Sequence, residues 1–274
     1  MKGNADIRTW FRLTRMPFSQ QLKPSELYMR QSMLDMASKV RFAIDSGLCF
    51  MVIGDVGSGK SSTLDYMAGG LDSKRYEPVR IIAGAWGFTE LLRQVMSSLN
   101  IVTRTSQQAT MLRQISEAYV SIRESGKTPV LFIDEAGLLS SEVFQQLHLL
   151  CNQSVTSPGR QTPIVMCGQD ILFEKAASPF SKPLMSRVMD GHRLSGMSIP
   201  ETSEYIGHHI CTLAGGRRDI FDDNALIAVH QSSAGIPRQI NEICLKAMSI
   251  AMQHEQTQIT PDMVRKATSK WWEA

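Results

Sequence analysis

A continuous apolar run, "LCFMVIG" at residues 48–54, ends in glycine and passes straight into "GDVGSGKSS" at 54–62, with a helical pattern from Lys60 onward. A strand without polar alternation is one buried on both faces, which suits the interior of a parallel sheet. Three more such runs follow, "VRIIAG" (79–84), "PVLFIDEA" (129–136) and "TPIVMCGQ" (162–169). Helical patterns such as "FTELLRQVMSSL" and "TMLRQISEAYVSIRES" separate them. Strands alternating with helices predict an α/β architecture, a parallel sheet with helices on both faces.

After about residue 198 the character changes. "ETSEYIGHHICTLA", "NALIAVHQSS", "RQINEICLKAMSIAMQH" and "PDMVRKATSKWW" all carry helical periodicity, and no strand-like run remains. Asp222 or Asp223 can cap one helix, and Thr260 before Pro261 supplies a cap with proline in the first turn. Gly215-Gly216 and Gly235-Ile-Pro237 mark breaks between helices. The expected organisation is an α/β domain over 1–197, with 1–30 as an N-terminal strap, and a small all-helical lid domain with a C-terminal tail over 198–274.

The spacing of Gly54, Gly59, Lys60 and Ser61 gives the opening junction its chemistry. Glycines let backbone N–H groups turn toward phosphate oxygens, and the N-terminus of the next helix adds partial positive charge. The candidate phosphate-binding residues are Gly54, Asp55, Val56, Gly57, Ser58, Gly59, Lys60, Ser61 and Ser62. Lys60 is placed to reach the β and γ phosphates of ATP, and the Ser61 hydroxyl to ligate Mg²⁺. Independently, "VLFIDEA" delivers Asp134 and Glu135 to a strand end. Asp134 would hold Mg²⁺ through water, and Glu135 would orient and deprotonate the attacking water. In an open parallel sheet, ligands bind at the carboxyl ends of strands, so both motifs are expected to face one crevice.

Phosphoryl transfer also needs cations where charge builds on the γ phosphate. Arg187 in "KPLMSRVM" follows the fourth apolar run, in reach of a neighbouring subunit's nucleotide. Arg238 in "GIPRQIN" opens a lid helix, in reach of its own subunit's γ phosphate. On residue context alone a surface salt bridge or a nucleic-acid contact is the favoured reading of each.

Together these residues resemble an AAA+ ATPase, and more narrowly the ExeA/GspA-like family. The resemblance runs through "LTRMPFSQ", "GDVGSGKSS", "LFIDEAGLL", "MCGQDIL", "SRV", "ETSEYIGHHI" and "GIPRQINEICLKA", in that order, across nearly the whole chain. It implies ATP and Mg²⁺ as cofactors, Gln169 as a catalytic sensor that aligns water, Arg187 as the arginine finger and Arg238 as the second sensor. It places Pro17 and Phe18 near the adenine, with a core-packing strap as the alternative. Secretion-type members of this family continue into a membrane span and a cell-wall-binding domain, whereas this sequence stops at "KWWEA". It is therefore also similar to the stand-alone Mu-type, TniB-like and TnsC-like ATPases of mobile elements. That resemblance implies a homo-oligomer, as ring or helical filament, on double-stranded DNA, with a transposase as partner. Energising secretion or pilus assembly through a protein partner is the alternative it leaves open.

Composition bounds these readings. With 43% hydrophobic and 20% charged residues the chain is an ordinary globular one, which argues against disorder. A net charge of +3 leaves nucleic acid open without demanding it. The five cysteines contain no CxxC pair and fit buried reduced thiols. No apolar run approaches the ~18 residues of a membrane span and the N-terminus lacks a signal-peptide core, so a cytoplasmic protein without a membrane partner is expected. The loops "AGAWGFTE", with Trp86 and Phe88, and "NQSVTSPGRQ", with Arg160, are the candidates for contacting DNA, against core packing for the first and an ordinary turn for the second. Trp271 and Trp272 form a candidate partner-binding tail, against packing of one ring on the lid.

Overall fold

The computed structural model describes residues 6–19, 21–151 and 161–269. They divide into two compact units: Gln31–Val56 with Lys60–Leu194, and the described parts of Met1–Arg30, Gly57–Gly59 and Ser195–Ala274.

The first unit is built on a five-stranded sheet of β1 (Cys49–Gly54), β2 (Tyr76–Ile82), β3 (Thr128–Asp134), β4 (Ile164–Gly168) and β5 (Val188–Leu194). Their order is β2-β3-β4-β1-β5, and every pairing is parallel. β1 and β4 are buried along their whole length and β3 from its second residue, as their unbroken apolar runs require. β2 alternates buried and exposed residues, the pattern of an edge.

β5 is a strand beyond the four apolar runs. "VMDGHRL" buries only Leu194 and pairs with β1 alone, so an edge position replaces the apolar signal with Asp190, Gly191, His192 and Arg193. Helices Phe88–Ser98 and Gln108–Glu124 turn Leu91, Leu92, Val95 and Met96, and Met111, Ile115 and Tyr119, onto Val79, Ile81, Leu131 and Ile133. Each such side chain, fully buried, contributes about 1.5–3 kcal/mol to folding.

Phe88 belongs to this core at 5% exposure, so the expectation that it is offered to DNA is overturned: the loop ends before it and its ring packs inward. Trp86 is half-buried and folds back on Gly84. Arg160, Trp271 and Trp272 lie outside the described residues.

The second unit is helical: Ile199–Gly207 continuing into a π-helical stretch His208–Leu213, then Asp223–Ser233, Pro237–Gln253 and Pro261–Thr268. Ser198 and Glu201 form a reciprocal capping box at the start of Ile199–Gly207, and Asp222 caps Asp223–Ser233 by accepting from the Ala225 N–H at 2.6 Å. Residues 6–19 pack with these helices. Phe11, Leu13 and Phe18 enter the same core as Ile206, Ile210, Val264 and Ala247, and the Trp10 indole donates to the Gln256 carbonyl at 2.8 Å. Phe18 is 2% exposed and stacks on His209 with ring centroids 5.1 Å apart, the core-packing alternative for this residue.

Candidate nucleotide-binding site

The sheet register brings three chain segments abreast at the carboxyl ends of β1, β4 and β3. Ile53 is level with Gly168, Val52 with Cys167, and Ile133 with Met166, which sets Asp134 beside Cys167. β1 then leads into the glycine-rich loop and the helix Lys60–Gly69. Gly57 and Gly59 adopt φ of +82° and +95°, which L side chains rarely tolerate, so glycine at both positions lets the loop curl back on itself.

Lys60 is 5% exposed, and its ammonium donates to the carbonyls of Gly54 and Asp55, each at 2.8 Å. The positive charge is thereby held inside the curve of the loop. Ser58 is buried, and its hydroxyl has no hydrogen-bond partner. An orphaned buried hydroxyl is expensive unless a polar ligand supplies the missing partner. Space is open above Gly59, where an added Cβ would meet nothing within 4 Å. These features fit a phosphate chain. Ser61 and Ser62 follow on the first turn of the helix and are exposed.

At the end of β3 the chain makes a tight turn. Asp134 is 8% exposed, and its Oδ1 accepts from the Glu135 N–H at 2.8 Å and from the Cys167 thiol at 2.8 Å. Burial and the neighbouring carboxylate push the Cys167 thiol up, so it stays protonated and acts as a donor. Glu135 is half-buried and left-handed, at φ 51° and ψ 34°, a conformation costing a non-glycine residue ~1–2 kcal/mol. Strain of this kind persists where surrounding structure over-determines it, commonly at functional sites. Here Lys175 donates its ammonium to the carbonyls of Gly137 and Leu139, and burial lowers its pKa. Gly137 lies so close to the next helix that a Cβ would come within 2.8 Å of Ile171. The turn is thus clamped from two sides, with Glu135 at its head.

The remaining candidates are placed differently. Gln169 is exposed at the N-cap position of the helix Asp170–Ala177, without a side-chain capping bond, directly after Gly168 at the same sheet end. Next to it the Arg193 guanidinium pairs with Asp170 at 2.5 Å. Arg187 lies between the helix Lys182–Met185 and β5, and its carbonyl accepts from the Cys49 N–H at 2.8 Å. Cys49 is the first residue of β1 and Gly54 the last, so Arg187 stands at the opposite sheet end, ~15–20 Å away at 3.3 Å per residue. The Arg187 guanidinium donates to the Pro183 carbonyl and, at 3.3 Å, to the Ser186 hydroxyl. Arg238 is exposed at the start of the helix Pro237–Gln253 in the second unit, where its N–H donates to the Gly57 carbonyl at 3.2 Å. A Cβ on Gly57 would meet that of Arg238 at 2.6 Å, a close approach that only glycine permits.

Sequence reasoning passes over Cys167 and Lys175. Cys167 sits inside an apolar run and Lys175 is a single cation in the helix Asp170–Ala177, and only the register and the turn disclose their partners. Among the described residues no group of three or more His, Cys, Asp or Glu could hold a metal by itself. A divalent ion here would need nucleotide oxygens together with Ser61 and Asp134. Among the same residues no helix is long and apolar enough to cross a membrane.

Residues 44–175 match the AAA domain family model. The chain is 26% identical over 244 residues to General secretion pathway protein A of Aeromonas hydrophila, covering 88% of this chain and 44% of that protein, so it spans less than half of that curated relative. This supports the ExeA/GspA-like resemblance. Among solved structures, Cdc6p from Pyrobaculum aerophilum superposes with a TM-score of 0.70 at 17% identity, over 91% of this chain and 69% of that one. The Aeropyrum pernix ORC1 protein in complex with DNA gives 0.63 at 11% identity, over 91% and 66%. The fold is that of a P-loop AAA+ protein, and the chain carries an AAA ATPase domain.

Proposed function

We propose that the chain binds ATP with Mg²⁺ at the carboxyl ends of β1, β3 and β4, and couples hydrolysis to assembly of a homo-oligomer on double-stranded DNA. The observation that carries this reading is the shared sheet end of the buried Lys60 and the Asp134–Glu135 turn. In it, the loop from Gly54 to Ser62 receives the phosphates, with Lys60 exchanging its two carbonyls for β and γ oxygens. Ser61 and Asp134 hold the metal, which when bound supplies charge neutralisation on those oxygens. Glu135 takes the proton of the attacking water, and Gln169 orients that water. Arg238 senses the nucleotide of its own subunit.

Arg187 serves the nucleotide of an adjacent copy. Its position beside Cys49 supports that role, since a residue at the far end of a six-residue strand does not reach phosphates at the near end. Nucleotide then sits at a heterologous, head-to-tail interface, which generates rings or helical filaments.

For the cellular role, a cytoplasmic regulator of transposition is our reading: ATP-loaded assemblies capture target DNA and recruit a transposase, and hydrolysis releases them. Support comes from the family resemblance and from structural similarity to a protein solved in complex with DNA. A second reading, an ATPase energising secretion or pilus assembly, is favoured by the match to General secretion pathway protein A. Electron microscopy with duplex DNA and a non-hydrolysable ATP analogue separates them. The transposition reading expects nucleotide-dependent rings or filaments on DNA, with salt-sensitive binding. Assembly that ignores DNA would overturn it.

A further inference from the structure

Oδ1 of Asp134 accepts two hydrogen bonds from two different strand ends: the Glu135 N–H within β3's own turn and the Cys167 thiol from β4, each at 2.8 Å. Both donors converge on one oxygen and leave Oδ2 free of them. A carboxylate on a terminal strand residue otherwise rotates about its last torsion, which is broad and weakly restrained. Here a main-chain donor and a side-chain donor fix its plane.

The thiol cannot drift, because Cys167 is 0% exposed and its backbone is locked in a ladder between Val52 on one side and the Asp134 level of β3 on the other. The Cys167 thiol gives its proton to Asp134, and its sulfur also meets the Glu135 backbone N–H, so it ties the turn after β3 to β4 at both residues.

We propose that Cys167 is a positioning residue for the nucleotide–metal site: its S–H holds Oδ1 of Asp134 so that Oδ2 is the oxygen presented to the divalent ion. The inference rests on the proposed metal role of Asp134. Groups that orient a metal's ligands or outer-sphere carboxylates are worth about 10–100-fold in metal affinity when removed. A thiol does this without adding charge to a site where Asp134 and Glu135 already supply two carboxylates.

The test is a binding measurement, independent of turnover. A fluorescent ADP analogue is titrated onto the full chain in Mg²⁺ and again in EDTA, for wild type, Cys167→Ala, Cys167→Val and Cys167→Ser. In wild type, Mg²⁺ tightens binding. In the alanine and valine variants, both without a donor, that gain shrinks by about 10-fold or more while affinity in EDTA is unchanged. Cys167→Ser, which restores a donor, recovers the gain to within about 2-fold. Two donor-less variants guard against the loss of one to misfolding, which thermal melts would reveal. An undiminished Mg²⁺ gain in either folded donor-less variant overturns the proposal, as does an equal loss with and without Mg²⁺, which is the mark of a packing role. A wild-type chain with no Mg²⁺ gain overturns instead the metal reading beneath it, and shows this before any substitution is made.

Discussion

The two ends of the parallel sheet differ in kind. At the carboxyl end Lys60, Asp134, Glu135, Cys167 and Lys175 are buried or half-buried; Lys60 is bonded to the carbonyls that end β1, and the other four meet at the turn after β3, all within one unit. At the amino end Arg187 is half-buried beside Cys49 and spends its guanidinium on carbonyl and hydroxyl groups of its own short helix. One end is a set of charged and polar groups held by bonds within the unit. The other holds a cation a full strand length from the glycine-rich loop, which is why the proposed function assigns it to the nucleotide of an adjacent copy.

The first way to break that contrast is to remove the distant cation. Arg187→Ala should leave ATP binding within about 2-fold of wild type while lowering assembly-stimulated turnover by about 10³-fold or more. Full turnover in the assembled state would leave the amino end of the sheet without a role. Glu135→Gln attacks the near end instead. It should cut hydrolysis by about 10²–10⁴-fold with ATP still bound, and trap the assembly that non-hydrolysable analogues give. Lys60→Ala should weaken ATP by about 100-fold, because it removes charge-assisted bonds worth ~1.5–3 kcal/mol to phosphate oxygens. Calorimetric titration reads this directly, and unchanged affinity would mean that the buried ammonium is structural.

The smallest effect sharpens the contrast by leaving both sheet ends alone. His209, 1% exposed in the helical unit, accepts from the Phe18 N–H at 3.2 Å, and burial depresses its pKa to about 3 from the ordinary 6.5. Between those values the unfolded chain takes up a proton that the folded chain does not. Stability is therefore full above pH 6.5 and falls as the pH drops below it, by about 2 kcal/mol at pH 5. Urea melts at pH 7 and pH 5 should show this loss in wild type and not in His209→Phe. An equal loss in both would assign the acid sensitivity elsewhere.

The legibility of the sequence follows the same division. β1, β3 and β4 are readable because strands buried on both faces must be apolar throughout, and the loop is readable because all its phosphate-facing residues are contiguous. β5 is hidden because an edge strand has one neighbour and can carry Asp190 and Arg193. Cys167 escapes notice for the opposite reason: an apolar run gives no sign of which member faces a carboxylate, and only the pairing of Ile133 with Met166 tells. Phe88 misleads because a loop residue and the first core residue of a helix are indistinguishable until the helix start at Phe88 is fixed. Residues 6–19 likewise meet partners about 200 positions away, as Thr14 does with the Ala214 carbonyl at 3.0 Å, a pairing no local pattern carries.

The most direct test of the central claim mixes two inactive variants. Glu135→Gln retains its Arg187, and Arg187→Ala retains its Glu135, so adjacent copies of the two complete one working site between them. With random head-to-tail mixing at equal amounts, turnover should return to about one quarter of wild type. A mixture as inactive as either variant alone would contradict a nucleotide site shared between the carboxyl end of one sheet and the amino end of the next.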